Sequence, residues 1–332
     1  YRIDEEKIFA EIEGRKPKAV MFNAPEGLMP AVQEIASKVE ERYGVTAFIL
    51  AEPCYGVCDT ADNEARMLNA DIAFHIGHTV SVERMGERTI LIDAFDDISF
   101  EEVLHKALPI LKRWRKIGIC TSSQHLNQIG YVKEFLARNG LDPLIGRGKG
   151  LLKDGQVFGC EFYSAYELKE LVDAFIFLGQ SRFHAVGVAL ATGKPTYMLD
   201  PYLNIVEDID ELSNEMYKRA VLSIYKALDA RRFGIIVGLK EGQLSLKIAK
   251  QLKAKLESLG RKVDLLALRE VTEERLIALK GIDCYIQTAC PRISVDGYNF
   301  SKPVLSIPQA EALIRIVEGK EMGEVFTRPN WL

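Results

Sequence analysis

The sequence predicts an α/β fold made of three related units, each a parallel sheet with helices on both faces. Three observations carry this prediction. Apolar runs of strand length alternate with amphipathic stretches of helix length, as where Lys18–Asn23 leads into a helix to about Arg42. The runs are continuously apolar rather than alternating, which marks strands buried on both faces. The same grammar occurs three times, and in each copy an Asp introduces a further apolar strand: Asp71, Asp173 and Asp283, about a hundred residues apart.

Taken in order, residues 1–16 form an amphipathic helix and not a signal peptide. The first unit has the strand Lys18–Asn23, the turn Ala24–Leu28, a helix, Gly44, the strand Val45–Leu50 and the strand Asp71–His78. The second has the strand Ile117–Thr121, the turn Ser122–Leu126, a helix to Asn139, Gly140 and the strand Asp173–Gln180. The third has the strand Phe233–Leu239, the turn Lys240–Leu244, a helix to Leu259, Gly260, and the strands Val263–Leu268 and Asp283–Cys290. A glycine after each helix is the expected C-terminal stop. A long helix from about Ile209 to Arg231 joins the second unit to the third, and a helix from Pro308 to Val317 with a polar tail finishes the chain. The units are Rossmann-like, with boundaries at 1–108, 109–204 and 205–332, the last including the linker helix and tail. No low-complexity linker separates them, so they should pack together.

The chain has 332 residues, more than one core usually organises, and its 48% hydrophobic and 27% charged composition is that of a globular protein. A net charge of -4 gives no electrostatic reason for nucleic acid or an anionic membrane as partner. The basic run Lys112–Lys116 reads as a solvated helix end favoured by the helix dipole. No apolar run reaches the roughly 18–20 residues needed to span a bilayer. A cytoplasmic location is expected. Six cysteines without a secretory signal are not a disulfide framework, so they are core thiols, catalytic thiols or metal ligands.

The repeat sorts them. Cys58 precedes Asp71 by 13 residues, and Cys160 precedes Asp173 by the same 13; both lie in glycine-containing loops. The equivalent third position is Glu270. Cys290 instead lies 7 residues after Asp283, at a strand end, where His78 and Gln180 hold the same place in the other units. Open parallel sheets place their sites at such strand ends. Three units facing one another around a pseudo-threefold axis would let Cys58, Cys160 and Cys290 converge. Cys120 and Cys284 sit inside apolar strands and read as core thiols. Cys54 forms Cys-x3-Cys with Cys58, but no other unit mirrors it. On spacing alone zinc, a cluster and plain core thiols stay open, although zinc ligands usually cluster in short pairs. Three thiolates would leave one iron of a cubane cluster without a protein ligand.

The segments Tyr55-Gly-Val-Cys58-Asp59, Gly77-His78, Gln124-His125, Gly159-Cys160, Asp200-Pro201-Tyr202 and Ala289-Cys290-Pro291-Arg292, with Ala24–Leu28, together resemble the archaeal diphthamide synthase family. The resemblance spans about residues 17 to 310. It implies a homodimer of three-domain subunits, each with a [4Fe–4S] cluster held by Cys58, Cys160 and Cys290. It implies radical cleavage of S-adenosylmethionine and transfer of its 3-amino-3-carboxypropyl group to imidazole C2 of a histidine on translation elongation factor 2. That is the first step of diphthamide biosynthesis, and it needs an electron donor. The Cys-x3-Cys-x2-Cys loop usual in radical S-adenosylmethionine enzymes is absent, in keeping with this family's unusual cleavage. Residues expected to face the bound groups are His78, Gln124, His125, Gln180 and Arg292, the last placed to pair with a carboxylate. Asp59 and Asp62 read as helix N-terminal acids, and His75 and His184 as structural. The competing readings are a quinolinate-synthase-like dehydratase using the open iron as a Lewis acid, and a non-catalytic scaffold subunit.

Overall fold

The long apolar runs become strands covered by the amphipathic helices, but those at Thr46–Ile49 and Lys262–Leu268 lie at sheet edges and are only partly buried, unlike the two-faced burial their composition predicts. The protein is described by a computed structural model over residues 1–78, 86–149, 152–295 and 300–332. β1 (Arg2–Ile3) precedes the first sheet, whose strands are β2 (Ala19–Asn23), β3 (Thr46–Ile49), β4 (Ile72–Ile76) and β5 (Thr89–Ile92). They lie in the order β3-β2-β4-β5, all parallel, and β1 pairs antiparallel with the following β6 (Ala94–Phe95). The second sheet has β7 (Lys116–Thr121), β8 (Asp142–Leu144), β9 (Ala174–Leu178), β10 (Thr196–Asp200) and an antiparallel edge strand β11 (Ile205–Asp208), in the order β11-β10-β9-β7-β8. The third has β12 (Arg232–Gly238), β13 (Lys262–Leu268), β14 (Cys284–Gln287) and β15 (Val304–Leu305), in the order β13-β12-β14-β15. Apart from the added β11, all three sheets share one order: the second strand, then the first, third and fourth.

The repeated Asp explains part of that register. The Asp71 carboxylate accepts the backbone N–H groups of Lys18 and Ala19 at 2.7 and 3.2 Å. Asp173 accepts those of Arg115 and Lys116 at 3.0 and 2.8 Å, and Asp283 those of Arg231 and Arg232, both at 2.9 Å. Each carboxylate thus ties the start of its own strand to the start of the neighbouring first strand. The three stop glycines, Gly44, Gly140 and Gly260, adopt left-handed φ of 64°, 83° and 76°.

In the first unit α1 (Glu5–Arg15) and α2 (Met29–Tyr43) bury Ile8, Ile12, Val32, Ile35 and Val39 against the sheet, and α3 (Asp62–Met67) covers the other face. Asp4 caps α1, its carboxylate accepting the Lys7 N–H at 3.1 Å. α4 (Glu101–Leu111) packs on the second sheet through Val103, Leu104 and Leu108, with α5 (Ile129–Arg138) beside it. α6 (Tyr163–Tyr166) and α7 (Arg182–Thr192) cover the opposite face. The joining helix α8 (Asp210–Lys226) is shorter than its pattern predicts, ending in a turn before β12. α9 (Leu246–Ser258), α10 (Glu273–Ile277), α11 (Arg292–Val295) and α12 (Ile307–Val317) complete the third unit.

The second and third sheets share one continuous core that runs from Cys120 and Phe177 through α7, α8 and α12 to Ile286. The first sheet keeps a core of its own. The final residues are not the polar tail their composition suggests. Trp331 is 1% exposed and packs at a tilt against Phe162 and Phe326, 4.7 and 4.9 Å between centroids. Two aromatic anchors among charged neighbours suffice to bury the segment. Among the described residues no helix is long and apolar enough to cross a membrane.

Candidate active site

The strand ends and first turns of all three sheets surround one cavity of about 460 Å³. The residues seven places after the register Asp, namely His78, Gln180 and Cys290, all lie on its wall. Gly77 and Gly179 precede two of them with φ of 93° and 128°, a left-handed turn that redirects the chain as it leaves the strand. Of the residues thirteen places before that Asp, Cys58 and Cys160 reach the wall, whereas Glu270 instead pairs with the Lys240 ammonium at 2.8 Å. The structure therefore brings together Cys58, Cys160 and Cys290, one thiol from each unit.

Cys58 rides on a single 3₁₀ turn, Val57–Asp59. Asp59 does more than precede a helix: its carboxylate accepts the N–H groups of Tyr55 and Gly56 at 2.9 and 3.1 Å, closing the loop around Cys58. Cys160 lies where Phe158 and Glu161 exchange backbone hydrogen bonds, and its carbonyl accepts the Trp331 N–H at 3.0 Å. Cys290 lies three residues past the end of β14, and its carbonyl accepts the Ile293 N–H at 3.0 Å as α11 begins. Burial pushes the Cys58 thiol up to about 12, with Cys290 and Asp59 adding to the shift. Burial likewise raises Cys160 well above its ordinary value, and Cys58 and Cys290 raise it further. Thiols that oppose one another's ionisation become thiolates together only on a shared positive centre, so this donor set fits a metal cluster. Cys120 and Cys284 are fully buried in their strands, away from the cavity.

The remaining expected residues divide. Gln124 and Arg292 line the cavity, and the Arg292 guanidinium lies over the Phe183 ring at 4.4 Å. His125 is not on the wall. It is fully buried behind it, edge-on to Phe100 at 5.2 Å, with its Nε2 3.1 Å from Gln124 Nε2. Burial pulls His78 and His125 down to about 4, so both are neutral at pH 7.

His184, expected to be structural, lies at the site. It lines the cavity, stacked on Phe177 at 5.8 Å, with Nδ1 2.6 Å from Ser181 Oγ, and burial pulls it down to about 4. Cys54, His75 and His78 have ligand atoms within 4.8 Å of one another. Asn23 gives its amide hydrogens to the Asp59 carbonyl at 2.5 Å and to His75 Nδ1 at 3.2 Å. His75 Nε2 is buried without a hydrogen-bond partner. Sequence reasoning missed Lys240, Gly242 and Gln243, although the turn containing them aligns with Ala24–Leu28 and Ser122–Leu126. The usable signal was that turn's recurrence.

Residues 24–324 match the family model described as putative diphthamide synthesis protein. The 2-(3-amino-3-carboxypropyl)histidine synthase of Pyrococcus horikoshii is 33% identical, over 99% of this chain and 95% of its own. Subunit 1 of the corresponding synthase of Schizosaccharomyces pombe is 28% identical, over 97% of this chain and 76% of its own. The crystal structure of Dph2 from Pyrococcus horikoshii with a 4Fe–4S cluster superposes with a TM-score of 0.86 at 33% identity, covering 99% of this chain and 96% of that one.

Proposed function

The chain belongs to the diphthamide synthesis family, and from that membership we propose that it transfers the 3-amino-3-carboxypropyl group of S-adenosylmethionine to imidazole C2 of a histidine on translation elongation factor 2. The enzyme class is that of the relatives, 2-(3-amino-3-carboxypropyl)histidine synthase, acting at the first step of diphthamide biosynthesis. The observation that carries the reading is the meeting of Cys58, Cys160 and Cys290 on one cavity wall. These three are the proposed ligands of a [4Fe–4S] cluster, which when bound supplies the electron that cleaves the sulfur–Cγ bond of S-adenosylmethionine.

The chain's own residues bind, orient and exclude water. Arg292, held against Phe183, pairs with the carboxylate of the methionine part. His78 and Gln180, at the strand-end positions equivalent to Cys290, flank the reacting group as neutral hydrogen-bonding partners. Gln124 faces the cavity, and His125 orients it from behind. Leu28, Phe158 and Phe177 close the wall against water. The proposal includes three units at 1–108, 109–204 and 205–332 around a pseudo-threefold axis, a homodimer, a cytoplasmic location and an external electron donor. The family match favours this reading over a dehydratase using the same cysteine pattern, and the full set of thiols favours it over a scaffold.

Anaerobic reconstitution followed by S-adenosylmethionine and dithionite tests it. Wild type should bind a full iron complement and release methylthioadenosine. Cys58→Ala, Cys160→Ala and Cys290→Ala should each lose both, while Cys120→Ala keeps them. Absence of methylthioadenosine from the reconstituted wild type sinks the radical reaction. Full iron in any of the three ligand variants sinks the assignment of that cysteine.

A further inference from the structure

The loop that presents Cys58 belongs to the unit whose core is separate from the core shared by the other two. Across the unit boundary this loop has a small apolar cluster, Val57 and Cys58 with Phe158, and polar contacts add to what holds the thiol in register with Cys160 and Cys290. Three consecutive residues of the third unit, in the turn after β12, grip the loop. Gly242 lies against Cys58, and an added Cβ there would come within 2.6 Å of the Cys58 Cα. The Glu241 carboxylate accepts the Thr60 hydroxyl at 2.9 Å and the Asn63 N–H at 3.0 Å. Lys240 is 8% exposed, and its ammonium lies 2.7 Å from Asp59 Oδ1, 2.8 Å from Glu270 Oε1 and 4.9 Å from the centre of the Tyr55 ring.

We propose that Lys240 is a positioning residue for the cysteine-lined site, holding the Cys58 loop through Asp59 and being held in turn by Glu270. The two oxygens of Asp59 divide the work. Oδ1 meets Lys240 across the unit boundary, and Oδ2 accepts Tyr55 and Gly56 within the loop. Glu270 occupies in the third unit the place that Cys58 and Cys160 occupy in theirs, so the repeat position that gives no ligand supports one instead. The residues that precede the corresponding 3₁₀ turns, Pro25 and Ser122, carry no charge, so neither of those turns repeats this ion pair. Without the ammonium, the buried Asp59 carboxylate would keep its two backbone N–H donors but have no cation to offset its charge beside the thiolates.

This inference rests on the cluster reading, and the experiment separates the two. The full chain is reconstituted anaerobically as wild type, Lys240→Met, Lys240→Arg and Glu270→Gln, with folding checked by circular dichroism. Iron release to a chelator, the electron paramagnetic resonance spectrum of the reduced cluster and its midpoint potential are then measured. Lys240→Met is expected to release iron roughly 10- to 100-fold faster, as loss of a partner behind a metal ligand typically does. Its midpoint potential should fall, because an uncompensated anion opposes reduction. Lys240→Arg should restore most of both, and Glu270→Gln should fall between. A folded Lys240→Met with wild-type iron release, spectrum and potential overturns the proposal. If Lys240→Met does not fold, the half-exposed Glu270→Gln decides, and wild-type values there overturn it equally. A wild type that takes up no cluster would instead remove the function proposed above.

Discussion

Glycines illustrate how differently one residue type can be required. Gly260 has φ of 76° and open space where a Cβ would go, so its requirement is conformational and was readable from its place after a helix. Gly242 is required by a neighbour 184 residues away, the Cys58 backbone, and no local pattern announces it. The two should fail differently. Gly260→Ala should cost about 1–2 kcal/mol of stability, the strain of a left-handed side chain, and keep its iron. Gly242→Ala should displace Cys58 and lose iron from the reconstituted protein. Thermal unfolding and iron per chain, measured on both, check the contrast. His184 and Asp59 belong to the same lesson. Local pattern marks His184 as a core histidine and Asp59 as a helix N-terminal acid, whereas the structure places His184 on the cavity wall and Asp59 2.7 Å from Lys240, 181 residues away.

At the scale of elements, the Asp that opens each third strand is a repeated fastening. It was legible as a marker of the period, but its two backbone hydrogen bonds per copy were not. These bonds hold the carboxylates of Asp71, Asp173 and Asp283 below their ordinary value of 3.8. Carboxylates so depressed stabilise the fold fully above pH 3.8 and lose that contribution as pH falls through the folded-state values. Each Asp→Ala variant should cost about 1 kcal/mol near neutral pH, a hydrogen-bond value kept low because the sites are exposed. Urea unfolding at neutral pH and again in acid should show the gap from wild type closing on acidification. A gap that persisted unchanged would show that the carboxylate charge is irrelevant to the fastening. The last segment shows the opposite balance. Its polar composition pointed to solvent, but two aromatic residues and the Cys160 carbonyl draw it into the shared core.

Across the whole molecule, one thiol per unit meets where two units share a core and the third is joined to them by a small apolar cluster and by polar contacts. A cluster bound there would cross-link all three. Reconstitution should therefore raise the thermal unfolding midpoint above that of the iron-free protein, since a group that binds only the folded chain stabilises it. Hydrogen exchange should show the gain to be greatest in the first unit; equal protection everywhere would contradict the separate core. The sequence by itself determined the three sheets, their strand runs, the stop glycines, the period, and the equivalence of Cys58 with Cys160. Those features are written within a strand, a helix or a turn, where periodicity and residue type act over a few positions. Only the tertiary structure decided that Cys290 joins those thiols on one wall, that Glu270 turns to Lys240 instead, and that the turn after β12 grips the Cys58 loop. The first and last of these join segments well over a hundred residues apart, and Glu270 meets Lys240 across 30 residues; all are set by how whole sheets and turns pack, and such packing leaves no repeating trace along the chain.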